Sequence, residues 1–221
     1  MDTEPSGPRL RQVVLDTEDR VSVLARACDR LLAEEGPGAL SLRAISRVSG
    51  VSTSSMIHHL DTRERLLRVC AHASTKARLR VMTDDVIDTG PTAVLPVDAL
   101  GLEDVRSWLG WMEVWRTMPS LGPSLAPARD GEVSVVARAL DHSLPRGSAR
   151  EVQALVAGLR VALCLPGSDL EPAEARQHLA AGLGRLTGLA VSATEPLVRR
   201  DAWGWPFVPQ PRAVARSRAP T

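Results

Sequence analysis

Residues 41–63 restrict what this chain can fold into more than any other stretch. Gly50 separates two short amphipathic segments. Leu42, Ile45 and Val48 fall on one helical face before it, and Met56 and Leu60 lie one turn apart after it. A glycine there supplies the positive φ of a tight turn between helices. Val51 is placed to plug the angle between them. Ser52 can cap the second helix by accepting a hydrogen bond from a free backbone N–H. The pattern predicts a helix-turn-helix. Its outward residues are small or polar: Thr53, Ser54, Ser55, His58 and His59. Side chains of this kind hydrogen-bond base edges and phosphates in the major groove of double-stranded DNA.

The flanks extend the unit. Val21, Leu24, Ala27, Cys28, Leu31 and Leu32 recur at helical spacing, and Gly36-Pro37-Gly38 ends that helix. Thr17, Glu18 and Asp19 make a start for it. After the motif, Thr62 is placed to cap a further long helix beginning Arg63-Glu64-Arg65-Leu66-Leu67. Net charge over the chain is only +1, but its distribution is uneven. Residues 41–80 hold eight arginine and lysine side chains against Asp61 and Glu64, a local excess that suits a polyanion. Arg78 and Arg80 fit a solvated helix face better than a contact surface.

In these residues the chain resembles the TetR family of transcriptional regulators. The family's N-terminal pattern finds its counterpart in Leu31-Leu32-Ala33-Glu34-Glu35-Gly36, in Ile45-Ser46, and in Ser49-Gly50-Val51-Ser52-Thr53 followed by His59 and Glu64. About fifty residues match without a gap. The departures are Ile57 for the usual tyrosine, Leu60 for phenylalanine, Ser54 for glycine and Arg63 for lysine. The tyrosine commonly reaches a phosphate, and Ile57 cannot donate a hydrogen bond. The resemblance implies an all-α protein with an N-terminal DNA-binding domain and a C-terminal effector-binding and dimerisation domain. It implies a repressor that binds a near-palindromic operator as a homodimer and is released by a small-molecule effector. Arg43 matches a position that often reaches a base or phosphate. Thr53, Ser54, Ser55 and His58 are the candidate groove contacts, and Ser41, His59 and Arg63 the candidate backbone contacts. A narrower likeness, to the choline-responsive BetI type, rests on Ser107–Trp115 and Gln153–Leu159.

Composition agrees with an all-α fold. Apolar residues make up 44% of the 221, in helical rather than alternating runs. With no tyrosine and one phenylalanine, aromatic bulk comes from five tryptophans. Three scattered cysteines suit reduced thiols, no apolar run approaches the ~18 residues of a membrane span, and the polar N-terminus lacks the pattern of a secretory leader. A cytoplasmic, nucleoid-associated protein is expected. No nucleophile–base motif, phosphate-binding loop or metal-ligand set is visible, so no enzyme, cofactor or metal is expected.

Four regions are expected: a flexible arm over 1–16, the DNA-binding domain over 17–67, the helical effector and dimerisation domain over 68–192, and a Pro/Arg-rich disordered tail over 193–221. The stretch 119–131 is rich in proline and glycine and predicts at most a short helix, with the next helix from Glu132 to Ser143. Helices over about 148–165 and 170–189 form an antiparallel pair. Leu155, Gly158, Leu159, Ala180, Leu183 and Leu186 on them read either as a two-fold dimer interface or as burial under the chain's own helices. The dimer is favoured because a helix-turn-helix reader normally binds two half-sites. Trp108, Trp111 and Trp115 share a face of one helix with Val105 and Met112 beside them. They read as the wall of a ligand pocket or as plain core. The alternative to a regulator is a helical small-molecule-binding or protein-interaction module that has lost DNA binding.

Overall fold

A computed structural model describes residues 17–193, apart from 142, 143 and 146. The arm and nearly all of the tail lie outside the described residues. Regular structure among the described residues is helical. The α-helices are α1 (Thr17–Glu34), α2 (Leu42–Ser49), α3 (Thr53–Leu60), α4 (Arg63–Thr89), α5 (Ala99–Thr117), α6 (Gly122–Ala139), α7 (Ala149–Cys164) and α8 (Pro172–Thr187). No described helix is long and apolar enough to cross a membrane.

Two hydrophobic clusters hold the helices together. The first takes Leu24, Cys28, Leu31 and Leu32 from α1, Ile45 from α2, Met56 from α3 and Leu66, Leu67 and Cys70 from α4. It also takes Trp108, Trp111 and Val114 from α5 and Leu125 and Ala128 from α6. The expected boundary at residue 67 therefore falls inside α4 and inside a shared core. The second cluster joins the far half of α4 to α6, α7 and α8 through Met82, Val86, Val135, Val136, Val152, Val156, Leu179 and Leu183.

One helix exceeds its expectation. Instead of a loop to residue 131, α6 begins at Gly122, with Pro123 in its first turn and Pro127 inside it. Pro123 costs nothing there because first-turn N–H groups have no helical partner. Pro127 removes one backbone bond. The loss is offset by burial of Leu121, Leu125 and Ala128 and by Ser124 Oγ, which donates to the Arg68 carbonyl at 3.1 Å.

The two C-terminal helices are antiparallel neighbours, but their leucines point elsewhere than expected. Leu183 is fully buried within its own chain and Ala180 nearly so. Leu155, Leu159 and Leu186 are half-buried against the second cluster. Of the six candidate interface residues only Gly158 is exposed. Leu183 and Ala180 are taken up by the chain's own packing, and at Gly182 α8 lies so close to α7 that a Cβ there would meet Leu155 Cδ2 at 2.3 Å. An apolar stripe left to solvent runs along α7 through Ala154, Ala157, Gly158 and Val161 and continues to Leu165 just past its end.

Candidate nucleic-acid interface and the junction behind it

The α2–α3 unit is built as its spacing implies. Ser41 Oγ accepts from Ala44 N at 3.2 Å, and Ser52 Oγ from Ser55 N at 3.2 Å, so each helix begins on a side-chain cap. Gly50 closes α2 at φ 72°, the left-handed region that a side chain disfavours. Ile45 and Met56 are fully buried and Val48, Val51 and Leu60 pack around them. Those anchors leave Thr53, Ser54, His58 and His59 facing solvent and Ser55 half-buried. The two histidine rings sit edge to face, 5.1 Å apart.

Ile57 belongs to the same outward row. Sequence reading treated it only as a lost phosphate contact. The helical phase of Thr53, Ser54 and His58 carried the signal that it faces out with them, where an apolar side chain can meet a thymine methyl.

The cations around this row differ in their freedom. Arg43 is exposed on α2. Arg47 pairs with Glu35 at 3.0 Å, and Arg65 pairs with Asp61. Arg63 is engaged: its Nε and Nη2 both donate to the Leu40 carbonyl, at 3.1 and 2.8 Å. Arg63 itself remains exposed. It clamps the start of α4 to the segment that enters α2.

Behind the head lies a buried polar junction. Asp29 of α1 is buried, and its carboxylate accepts three hydrogen bonds. Oδ1 takes Trp111 Nε1 at 2.7 Å and Ser107 Oγ at 3.0 Å, and Oδ2 takes Ser74 Oγ at 2.9 Å. Burial raises the Asp29 carboxyl to about 7, although these three donors favour its charged form. Gly110 makes the arrangement possible, because a Cβ there would lie 2.9 Å from Leu32 Cβ, so α5 could not approach α1.

Next to it, Arg78 sits with its Cζ 5.0 Å from the Trp108 ring centroid and pairs with Asp104 and Glu132. Glu132 also takes Arg160 Nη1 at 2.6 Å. Burial opposes the Glu132 charge, but Arg160 and Arg78 together outweigh it and hold the carboxyl below its usual value. Arg160 Nη2 and Arg176 Nη1 donate to the Val94 and Pro96 carbonyls, tying α7 and α8 to the turn before α5.

The tryptophan face is divided among these jobs. Trp108 and Trp111 line a cleft with Asp29, Ser74, Thr75, Arg78, Asp104 and Ser107. With its open mouth the cleft takes in about 290 Å³, yet the enclosed part admits about one water molecule. Val105, Met112 and Trp115 do not line it. Met112 and Trp115 pack against the first core, and Arg129 lies 5.6 Å from the Trp115 ring centroid. A second cleft, taking in about 200 Å³ with its open mouth, lies among Val94, Glu132, Val133, Val136, Val152, Gln153 and Val156.

No protein-family model matches the chain, and no curated protein matches it. Solved structures do. A Rhodococcus sp. protein assigned to the TetR family of transcriptional regulators superposes with a TM-score of 0.63 at 21% identity, over 76% of this chain and 98% of that one. The chain has that fold. A protein of Pseudomonas aeruginosa PAO1 assigned as a transcriptional regulator matches at TM-score 0.63 and 20% identity, over 81% of this chain and 95% of its own. One from Streptomyces coelicolor A3(2), assigned likewise, matches at 0.58 and 23%, over 77% and 99%. Nothing in these likenesses supports the narrower BetI-type resemblance.

Proposed function

We propose that this chain is a DNA-binding transcriptional regulator that acts as a homodimer and answers to a small molecule. The observation that carries the reading is the outward row of α3. Thr53, Ser54, Ile57 and His58 stand free of the core on a helix capped at its start and held by buried Ile45 and Met56. A short, rigid helix presenting hydrogen-bonding groups and one apolar side chain is what groove reading requires. Arg43 flanks the row and supplies charge for phosphates.

The exposed stripe Ala154, Ala157, Gly158 and Val161 of α7, with Leu165 just past its end, supports a dimer through this helix, since its small residues allow a second helix to come close. An effector enters the Trp108–Trp111 cleft only if α5 parts from α4, since the closed cleft holds about one water. Parting those helices moves α1, and with it the head and the half-site spacing. Repression is the sign of regulation proposed.

Fluorescence anisotropy on a labelled fragment upstream of the chain's own gene tests the reading. Binding should be submicromolar and weaken steeply between low and physiological salt. His58→Ala and Thr53→Ala should relax sequence preference, whereas Arg43→Ala should weaken all duplexes. Binding that ignores salt, or no binding to any fragment, favours the module that has lost DNA recognition.

A further inference from the structure

We propose that Asp29 is a proton-operated latch between the helix-turn-helix head and the rest of the chain: protonated, it holds α1 closed on α4 and α5, and ionised, it loosens that junction. Its effect on DNA rests on the proposed reading of α2 and α3, while the latch itself does not.

The geometry places one carboxylate where three helices meet. α1 contributes Asp29. Facing it, α4 contributes Ser74, Thr75 and Arg78, and α5 contributes Asp104, Ser107, Trp108 and Trp111. Arg78 does not neutralise Asp29, because its guanidinium is held by Asp104 and by Glu132 of α6. Among the described residues no cation forms an ion pair with Asp29. The adjacent Cys28 stays a neutral thiol, pushed up by its contact with Cys70 and by burial.

Both forms of Asp29 can be accommodated, but not equally. The ionised carboxylate accepts all three donors. It is nonetheless an unpaired buried charge, which draws water. The cleft beside it opens to solvent and already has room for one water. The acid form must donate a hydrogen. Thr75 Oγ1 lines the same cleft, is buried and has no hydrogen-bond partner. The Ser74 and Ser107 hydroxyls can also reverse and accept, whereas the Trp111 N–H only donates. A neutral Asp29 therefore keeps Trp111 on Oδ1 and turns its proton to the Ser74 hydroxyl, 2.9 Å from Oδ2. Burial sets the change of form at about pH 7.

The intact chain is compared with Asp29→Asn, which keeps the shape and stays neutral. Thermal midpoints and tryptophan emission are followed from pH 5.5 to 8.5, and affinity for a labelled promoter duplex at constant ionic strength. The wild-type midpoint should fall as pH rises toward about 7 and level off above it, and the emission should shift through about 7, with neither change in Asp29→Asn. A loosened head must be reordered to dock, so wild-type affinity should drop at least threefold more than that of Asp29→Asn between pH 6 and 8. The difference is the readout because His58 and His59 lie on the same head. Ser107→Ala supplies a second test: losing a donor that favours the ionised form should move the step to higher pH.

Identical stability and emission profiles for wild type and Asp29→Asn, or an unmoved step in Ser107→Ala, overturn the latch. If the step is present but the two affinities run parallel, the coupling to the head is overturned. If no duplex binds, the proposed function fails, and the melting and emission steps still decide the latch.

Discussion

Arg63 reaches back from the first turn of α4 to the Leu40 carbonyl with two N–H groups. Hydrogen bonds from a charged donor contribute more than neutral ones, and solvent access lowers the gain. Arg63→Ala should cost about 1–2 kcal/mol in urea unfolding. Arg63→Lys should recover only part, because an ammonium cannot fork as a guanidinium does; full recovery would remove the two-pronged clamp. The two unusual carboxyls pull stability in opposite directions with pH. Asp29 binds its proton more tightly when folded, so the chain loses stability as pH rises from about 4 to about 7, by roughly 4 kcal/mol if the whole shift is expressed. Glu132 is held below its usual value, so its contribution is complete above the ordinary carboxylate range and is lost as pH falls through its lowered value. Unfolding free energies of Asp29→Asn should accordingly exceed the wild type's at pH 8 and approach them near pH 4.

At the scale of elements, the fold turns on how closely α5 lies against α1. Gly110 is a point of close approach, with Leu32 Cβ 2.9 Å from where a Cβ would sit. Because that neighbour is the root of a side chain, it can yield only by moving α1. Gly110→Ala should therefore destabilise by about 1–3 kcal/mol despite alanine's better helix propensity. It should also shift the tryptophan emission, since Trp111 would withdraw from Asp29. Unchanged emission and stability would mean the helices tolerate the separation. Trp111→Ala should cost about 3–5 kcal/mol through lost packing, and more because Asp29 loses a donor.

The whole molecule is two clusters that share two helices, α4 and α6, and its surface tells the assembly apart from the core. Leu183 is fully buried, whereas Val161 is 43% exposed and Leu165 56%. Leu183→Glu should therefore unfold the chain, because a charge would enter the second cluster. Val161→Glu should leave the thermal melt of a monomer but abolish association and weaken operator binding. Light scattering beside circular dichroism separates the cases. A wild type that is monomeric at micromolar concentration removes the α7 interface.

The sequence by itself determined the local elements of the head: the capped helices, the Gly50 turn and the inward anchors Ile45 and Met56 are set by neighbours within a few residues. It also marked Thr53, Ser54 and His58 as outward, since helical phase is a local property. Which apolar face meets which partner was decided by the tertiary structure. Leu183 and Val161 are equally apolar in sequence, and only the packing of α8 into the second cluster buries one and leaves the other exposed. The α6 helix through Pro127 likewise forms because distant residues of α4 reward it, not because its own sequence favours it. Asp29 gave no local signal at all. Its three partners come from 45, 78 and 82 residues away, and a carboxylate's burial is a property of everything packed around it.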